Sequence, residues 1–133
     1  AMSALAASCL AGVLIAAGEV ETGVAWARGA LEDAVAVGEE ALVVSALALV
    51  ASGLLPGSAE AAARLAGWCD SARQRLNLRT RPSEALARRV LDRALGALLD
   101  ADRLRALADE GAALCEAEAI GLVRHWPMPA GAG

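Results

Sequence analysis

Residues 59–76, AEAAARLAGWCDSARQRL, constrain this chain more than any other stretch. Ala62, Leu65, Cys69, Ala72 and Leu76 recur at steps of three and four, so on a helix they share one stripe, while Arg64, Ser71 and Arg75 turn away from it. The spacing predicts an amphipathic helix. Its buried stripe consists mainly of small side chains, which let a neighbouring helix come close, and that favours a packed array over an isolated surface helix.

The composition carries this over the whole chain of 133 residues, which is 57% hydrophobic yet has no Phe, no Tyr and only Trp26, Trp68 and Trp126 as aromatics. Alanine and leucine supply most of the apolar surface; they favour helices, and the β-branched and aromatic residues of a sheet are sparse. An all-α fold is expected. The length suits one domain whose core needs neither disulfide nor metal.

Taken in order, a first helix is predicted over residues 3–17, with Ser3 as N-cap and Leu5, Cys9, Val13 and Ala16 on one face. A second opens at Glu19-Val20-Glu21 and runs to Gly38, burying Val20, Val24, Ala27, Leu31, Ala34 and Val35. The third, residues 39–52, is apolar almost all round and is expected at the centre of the domain. A turn at Gly53–Gly57 with Pro56 leads to Ser58 as N-cap of the 59–76 helix. Pro82 and Ser83 then start a fifth helix to about Leu99, burying Val90, Leu91, Ala94, Leu95 and Leu98 with Arg88, Arg89 and Asp92 outward. Asp100 or Asp102 caps a sixth that Gly111 closes as C-terminal cap, and Cys115 to about Trp126 is the last.

The first four helices read as two helical hairpins. Leu14–Gly18 in the first answers Leu49–Gly53 in the second, and the two glycines lie 35 residues apart. An apolar helix, a turn and a small-residue helix recurring near every 34 residues is the spacing of tetratricopeptide-type repeats. The expectation is therefore antiparallel helix hairpins stacked as a short tetratricopeptide-like array of about seven helices. Hairpins at 3–37 and 39–77 and closing helices at 83–126 make one helical-repeat domain over residues 1–126, with a flexible tail at 127–133.

The order of motifs adds a resemblance. Ala62-Ala63-Arg64-Leu65-Ala66-Gly67, then Ala72-Arg73 and Leu76-Asn77-Leu78 ahead of Pro82, resembles the last part of the helical-repeat region of large bacterial STAND-type ATPase regulators. Leu104, Ala108 and Gly111 stand where that family tends to show Phe, Trp and Gly, and Leu114–Ala119 is similar to its closing Leu-Ser-x-Glu-Glu-Ala segment, with Cys115 in place of the hydroxyl residue. The resemblance covers residues 59–123. It implies a tetratricopeptide-like array joined, in the parent protein, to a nucleotide-binding switch and to a DNA-binding or adenylate-cyclase domain; these are packing motifs and imply no reaction. Ala1 ahead of Met2 suggests a cloning remnant and a piece cut from a longer chain.

A net charge of −4 argues against a nucleic-acid surface. Arg73, Arg75, Arg79, Arg81, Arg88, Arg89 and Arg93 crowd the middle of the chain; they read first as a solvated helix face, with a phosphate site or a contact to an acidic partner domain as alternatives. Cys9, Cys69 and Cys115 are too far apart for a metal site and read as buried small apolar residues of a reducing compartment, so a cytoplasmic protein is expected. The uncharged runs 1–18 and 41–59 are rich in Ala, Gly and Ser and read as interior helices rather than membrane spans.

No catalytic constellation emerges. His125 is the only histidine, the paired carboxylates lie at helix ends, and a chain without lysine holds no Walker-type phosphate loop, so no cofactor is expected in this segment. Trp26 and Trp68 occupy comparable places in the two hairpins: either they fill gaps between alanine-rich helices, or with Arg28 and Arg64 they line a groove for a partner helix. The expected role is a non-catalytic interaction or sensor module of a larger ATP-dependent bacterial regulator. Its partners would be proteins or other domains of the parent chain, with a homodimer also open. The alternative is a stand-alone, self-associating helical scaffold.

Overall fold

The structure, a computed structural model, describes residues 3–55 and 57–124. Among them are seven α-helices and no strand: α1 (Ala4–Ala16), α2 (Val20–Val37), α3 (Glu40–Val50), α4 (Ala59–Leu76), α5 (Pro82–Leu98), α6 (Ala101–Ala112) and α7 (Glu116–Arg124). The fold is all-α. One turn of 3-10 helix, Ala51–Leu54, follows α3 directly and takes up part of the expected turn. The expected end of the last helix at Trp126, His125 with it, and the expected tail at 127–133 lie outside the described residues.

The helix ends follow local chemistry. Side-chain oxygens of Ser3, Ser58 and Asp100 accept from the N–H groups of Ala6, Ala61 and Arg103, each satisfying a donor the first turn leaves open. Pro82 takes the first position of α5, where its missing N–H costs nothing. α2 ends on Gly38 at φ 79° and α4 on Asn77 at φ 54°, both left-handed caps.

The helices do not pack simply in chain order. α1 lies along α2 and α2 along α3, but α5 returns to α1, and α6 lies along α4, past α5. α3 sits between α2 and α4, also touching α1, α5 and α7, and buries Val43–Leu47, Leu49 and Val50, so the helix that is apolar all round is central as its composition demands. α4 buries Ala61–Ala63, Leu65–Cys69 and Ala72, a wider face than one stripe, because α3, α6 and α7 cover it from several sides.

Three expectations about buried faces are corrected. In α1 the core residues are Ala7, Ala11 and Ile15, while Leu5 and Val13 are exposed and Cys9 is half-buried. The side with the smallest residues faces inward, because Gly12 lets Ser83 of α5 approach to within contact. In α5 the buried stripe is Glu84, Ala87, Leu91 and Leu95, which leaves Val90 and Leu98 exposed. Gly111 is no C-terminal cap: it lies inside α6, buried, in ordinary helical conformation, and α6 closes on Ala113. A Cβ at Gly111 would overlap the carbonyl of Arg64 and stand 2.8 Å from its Cα, and one at Gly67 would stand 2.6 Å from the Cα of Ala108. α4 and α6 therefore cross backbone to backbone.

Candidate functional site

α2 keeps one face away from its neighbours. Thr22, Trp26, Gly29 and Asp33 follow steps of four, three and four along it, and with Ala7, Ala25 and Ala30 they border a cleft of about 340 Å³ between α1 and α2. Trp26 is 39% exposed, a large apolar area to leave on a surface. A Cβ at Gly29 would meet only open space, so the floor is bare between the indole and the carboxylate. Asp33 has no ion pair among the described residues, whereas its neighbour Glu32 is held by Arg124 at 2.5 Å. The arrangement suits an apolar side chain laid on the indole with a cation about two turns further along.

The four residues expected to line one groove are divided. Trp68 is only 3% exposed and fills the core of α4, so it has no part in a surface site. Arg64 stands where α4 crosses α6 and pairs with Glu110 at 3.3 Å, bracing the two helices. Arg28 is partly buried on α2, where loss of solvation lowers the pKa of its guanidinium, and it does not border the Trp26 cleft. Of the four, Trp26 alone lines this cleft, and the residues that complete it were not singled out by the sequence. The signal was there in the Thr22–Trp26–Gly29–Asp33 stripe, which carries the only gap-making glycine of that face.

Four of the seven arginines in the middle of the chain are paired within the fold. Glu84, 3% exposed, accepts from Arg73 and Arg81, both at 2.9 Å, and Arg81 also donates to Ser45 Oγ at 3.2 Å. Arg88 donates twice to Asp70, at 2.7 and 2.9 Å, and through Nε to Asp92 at 2.7 Å; its bonds to Asp70, then to Asp92, raise its guanidinium pKa above the ordinary value. Arg75 meets Glu40 at 3.5 Å. Guanidinium forks filled by carboxylates have no geometry left for phosphate. Arg79, Arg89 and Arg93 are exposed and form no ion pair among the described residues. The predicted stripe of α5 did not include Glu84; extending Leu91–Leu95 back through Ala87 by three more positions reaches it.

A second cleft, about 230 Å³, lies between α4, α5 and α6. Leu104 and Ala108 line it, at the positions where the resemblance leads one to expect aromatic bulk, opposite Ala63, Ala66 and Leu95, with Arg88 and Asp92 at its edge. Cys69 is fully buried, donates to the carbonyl of Val44 at 3.7 Å and has its thiol pKa pushed up to about 12 by loss of solvation. Such a thiol is a packing group. The expectation of three buried cysteines holds for it alone: Cys9 is half-buried on α1, and Cys115 is exposed just ahead of α7. Among the described residues there is no cluster of His, Cys, Asp and Glu suited to a metal ion, and no helix long and apolar enough to cross a membrane. Comparison with family models, with curated proteins and with solved structures finds no match for this chain.

Proposed function

We propose that this chain is a non-catalytic protein-interaction module of a larger, cytoplasmic, ATP-dependent bacterial transcriptional or signalling regulator, and that its docking site is the Trp26 cleft. One observation carries the docking reading: a partly exposed indole stands beside a bare stretch of helix over Gly29, with the carboxylate of Asp33 beyond it. An aromatic wall next to a hole of that size is what an anchoring side chain of a partner fills. The regulator reading rests on the resemblance of residues 59–123, and the internal pairing of the central arginines supports a protein rather than a nucleic acid as partner.

The test is a photo-crosslinking side chain placed at Ala25, exposed at the border of the cleft, in the protein expressed in its own cells, with the same group at the exposed Ala106 of α6 as control. A polypeptide captured from position 25, not from 106, and lost with Trp26→Ala is the expected result. No adduct at position 25 overturns the docking reading.

A further inference from the structure

We propose that the occupant of the Trp26 cleft is helix α5 of a second copy of this chain, presented by its exposed Leu86, Val90 and Arg93. The inference rests on the reading of that cleft as a docking site and names what docks there.

Three observations converge. First, α5 has an apolar face left uncovered among the described residues: Leu86 is 48% and Val90 38% exposed. Arg89 and Arg93 flank these residues, exposed and without an ion pair among the described residues. Leu86, Val90, Arg93 and Ala97 follow steps of four, three and four, so they form one outward stripe opposite the buried Glu84–Leu95 face.

Second, the two stripes are complementary position by position. Trp26 and Asp33 are seven residues apart on α2, and so are Leu86 and Arg93 on α5. Both intervals are about 10.5 Å of helix. Laid side by side in parallel, Leu86 meets the indole of Trp26, the branched side chain of Val90 enters the space over Gly29, and the guanidinium of Arg93 reaches the carboxylate of Asp33. That is knob-into-hole packing with a charge pair at one end.

Third, the charge is divided between the ends of the chain. Through residue 58 the only base is Arg28 against six carboxylates, while the rest of the chain holds the other eleven arginines against ten carboxylates. A cleft lined by the Asp33 carboxylate and a helix face carrying Arg89 and Arg93 attract across copies. Within one copy α2 and α5 are not a packed pair, so each chain offers both surfaces to its neighbours. The contact is reciprocated in a twofold pair or passed on from copy to copy.

The experiment is analytical ultracentrifugation of the purified full chain from micromolar to submillimolar concentration. The chain is expected to self-associate, and Asp33→Arg or Arg93→Asp, both exposed changes, to weaken association about tenfold each. An equimolar mixture of the two single variants is expected to regain it, because the new base at position 33 of one then faces the new acid at position 93 of the other. Gly29→Leu, which fills the hole without touching the core, is expected to abolish association while the helical circular dichroism is kept. A chain that stays monomeric throughout, or one whose association ignores all three changes, overturns the proposal. Capture of a different polypeptide at position 25 in cells, with the purified chain monomeric, would overturn the self-docking alone and leave the docking site standing.

Discussion

The α-carbon of Gly111 in α6 packs directly on the backbone of Arg64 in α4, and the missing side chain is what permits it. Gly111→Ala drives a methyl into a carbonyl that has nowhere to move, and the two helices must separate. A loss of about 3 kcal/mol is expected, at the upper end of the cost of overpacking. Gly29→Ala tests the sign of the argument, since it too sits within a helix but faces open space. It should stabilise by roughly 0.5–1 kcal/mol through helix propensity. Urea midpoints of the two variants, moving in opposite directions, are the check.

Glu84 is the buried acid on which Arg73 of α4 and Arg81 at the start of α5 converge. Glu84→Ala leaves Arg73, whose side chain is only 12% exposed, with only its longer pair to Asp70 at 3.9 Å, and leaves Ser45 and Arg81 without their organising partner. A destabilisation of about 3 kcal/mol is expected, the cost of breaking a buried pair from one side. Removing Asp92, exposed at the other end of the same chain of charges, should cost well under about 1 kcal/mol. Chemical denaturation of both variants separates a buried pair from a surface one.

Cys69 gives a pH and reactivity test. Its thiol stays protonated in the folded chain up to about pH 12, while in the unfolded chain it ionises near its ordinary value of 9.0. Above pH 9 the unfolded state therefore releases a proton that the folded state keeps, so stability falls as pH rises from 9 towards 12 and is untouched by this group below 9. Cys69→Ala should remove that part of the alkaline slope. At about pH 8 a thiol reagent should label the exposed Cys115 quickly and Cys69 only after denaturation.

Glu118 returns half of a capping box. Its carboxylate accepts from the N–H of Cys115 at 2.9 Å, which lowers its pKa, and the carbonyl of Cys115 accepts the first bond of α7 from Ala119. The hydroxyl half is absent because Cys115 stands at the cap. Cys115→Ser should complete the box and stabilise by about 0.5–1 kcal/mol. That gain comes from a hydroxyl that does not titrate and should be alike at neutral and acid pH, whereas the contribution of Glu118, whose pKa is lowered, is present above its ordinary titration range and is lost as pH falls through the lowered value. Urea midpoints of both proteins at neutral and acid pH are the check.

The candidate site was half legible. Trp26 was singled out for its aromatic character and its place in the second helix, and it does border a surface cleft. Trp68 has the same chemistry and a comparable place, yet it is buried, because α3, α6 and α7 close around α4 while α2 leaves a face open. Asp33 and Gly29 matter only beside Trp26, and nothing within either residue announces that neighbourhood.

What the sequence by itself determined is the run of helices and most of their ends. Alanine and leucine at helical spacing, Ser3, Ser58 and Asp100 as caps, Pro82 at a first position and Gly38 and Asn77 in left-handed conformation all act within one or two turns, so local chemistry suffices. Which face goes inward was decided by tertiary packing. α1 is apolar on every side and carries no periodic signal, so the choice of Ala7, Ala11 and Ile15 over Leu5 and Val13 depends on how closely α2 and α5 can approach. For α5 a buried carboxylate takes a core position only because arginines from α4 and from its own N-terminal end meet it there. Gly111, legible as a helix stop, became a crossing point because another backbone needed the room its side chain would have filled.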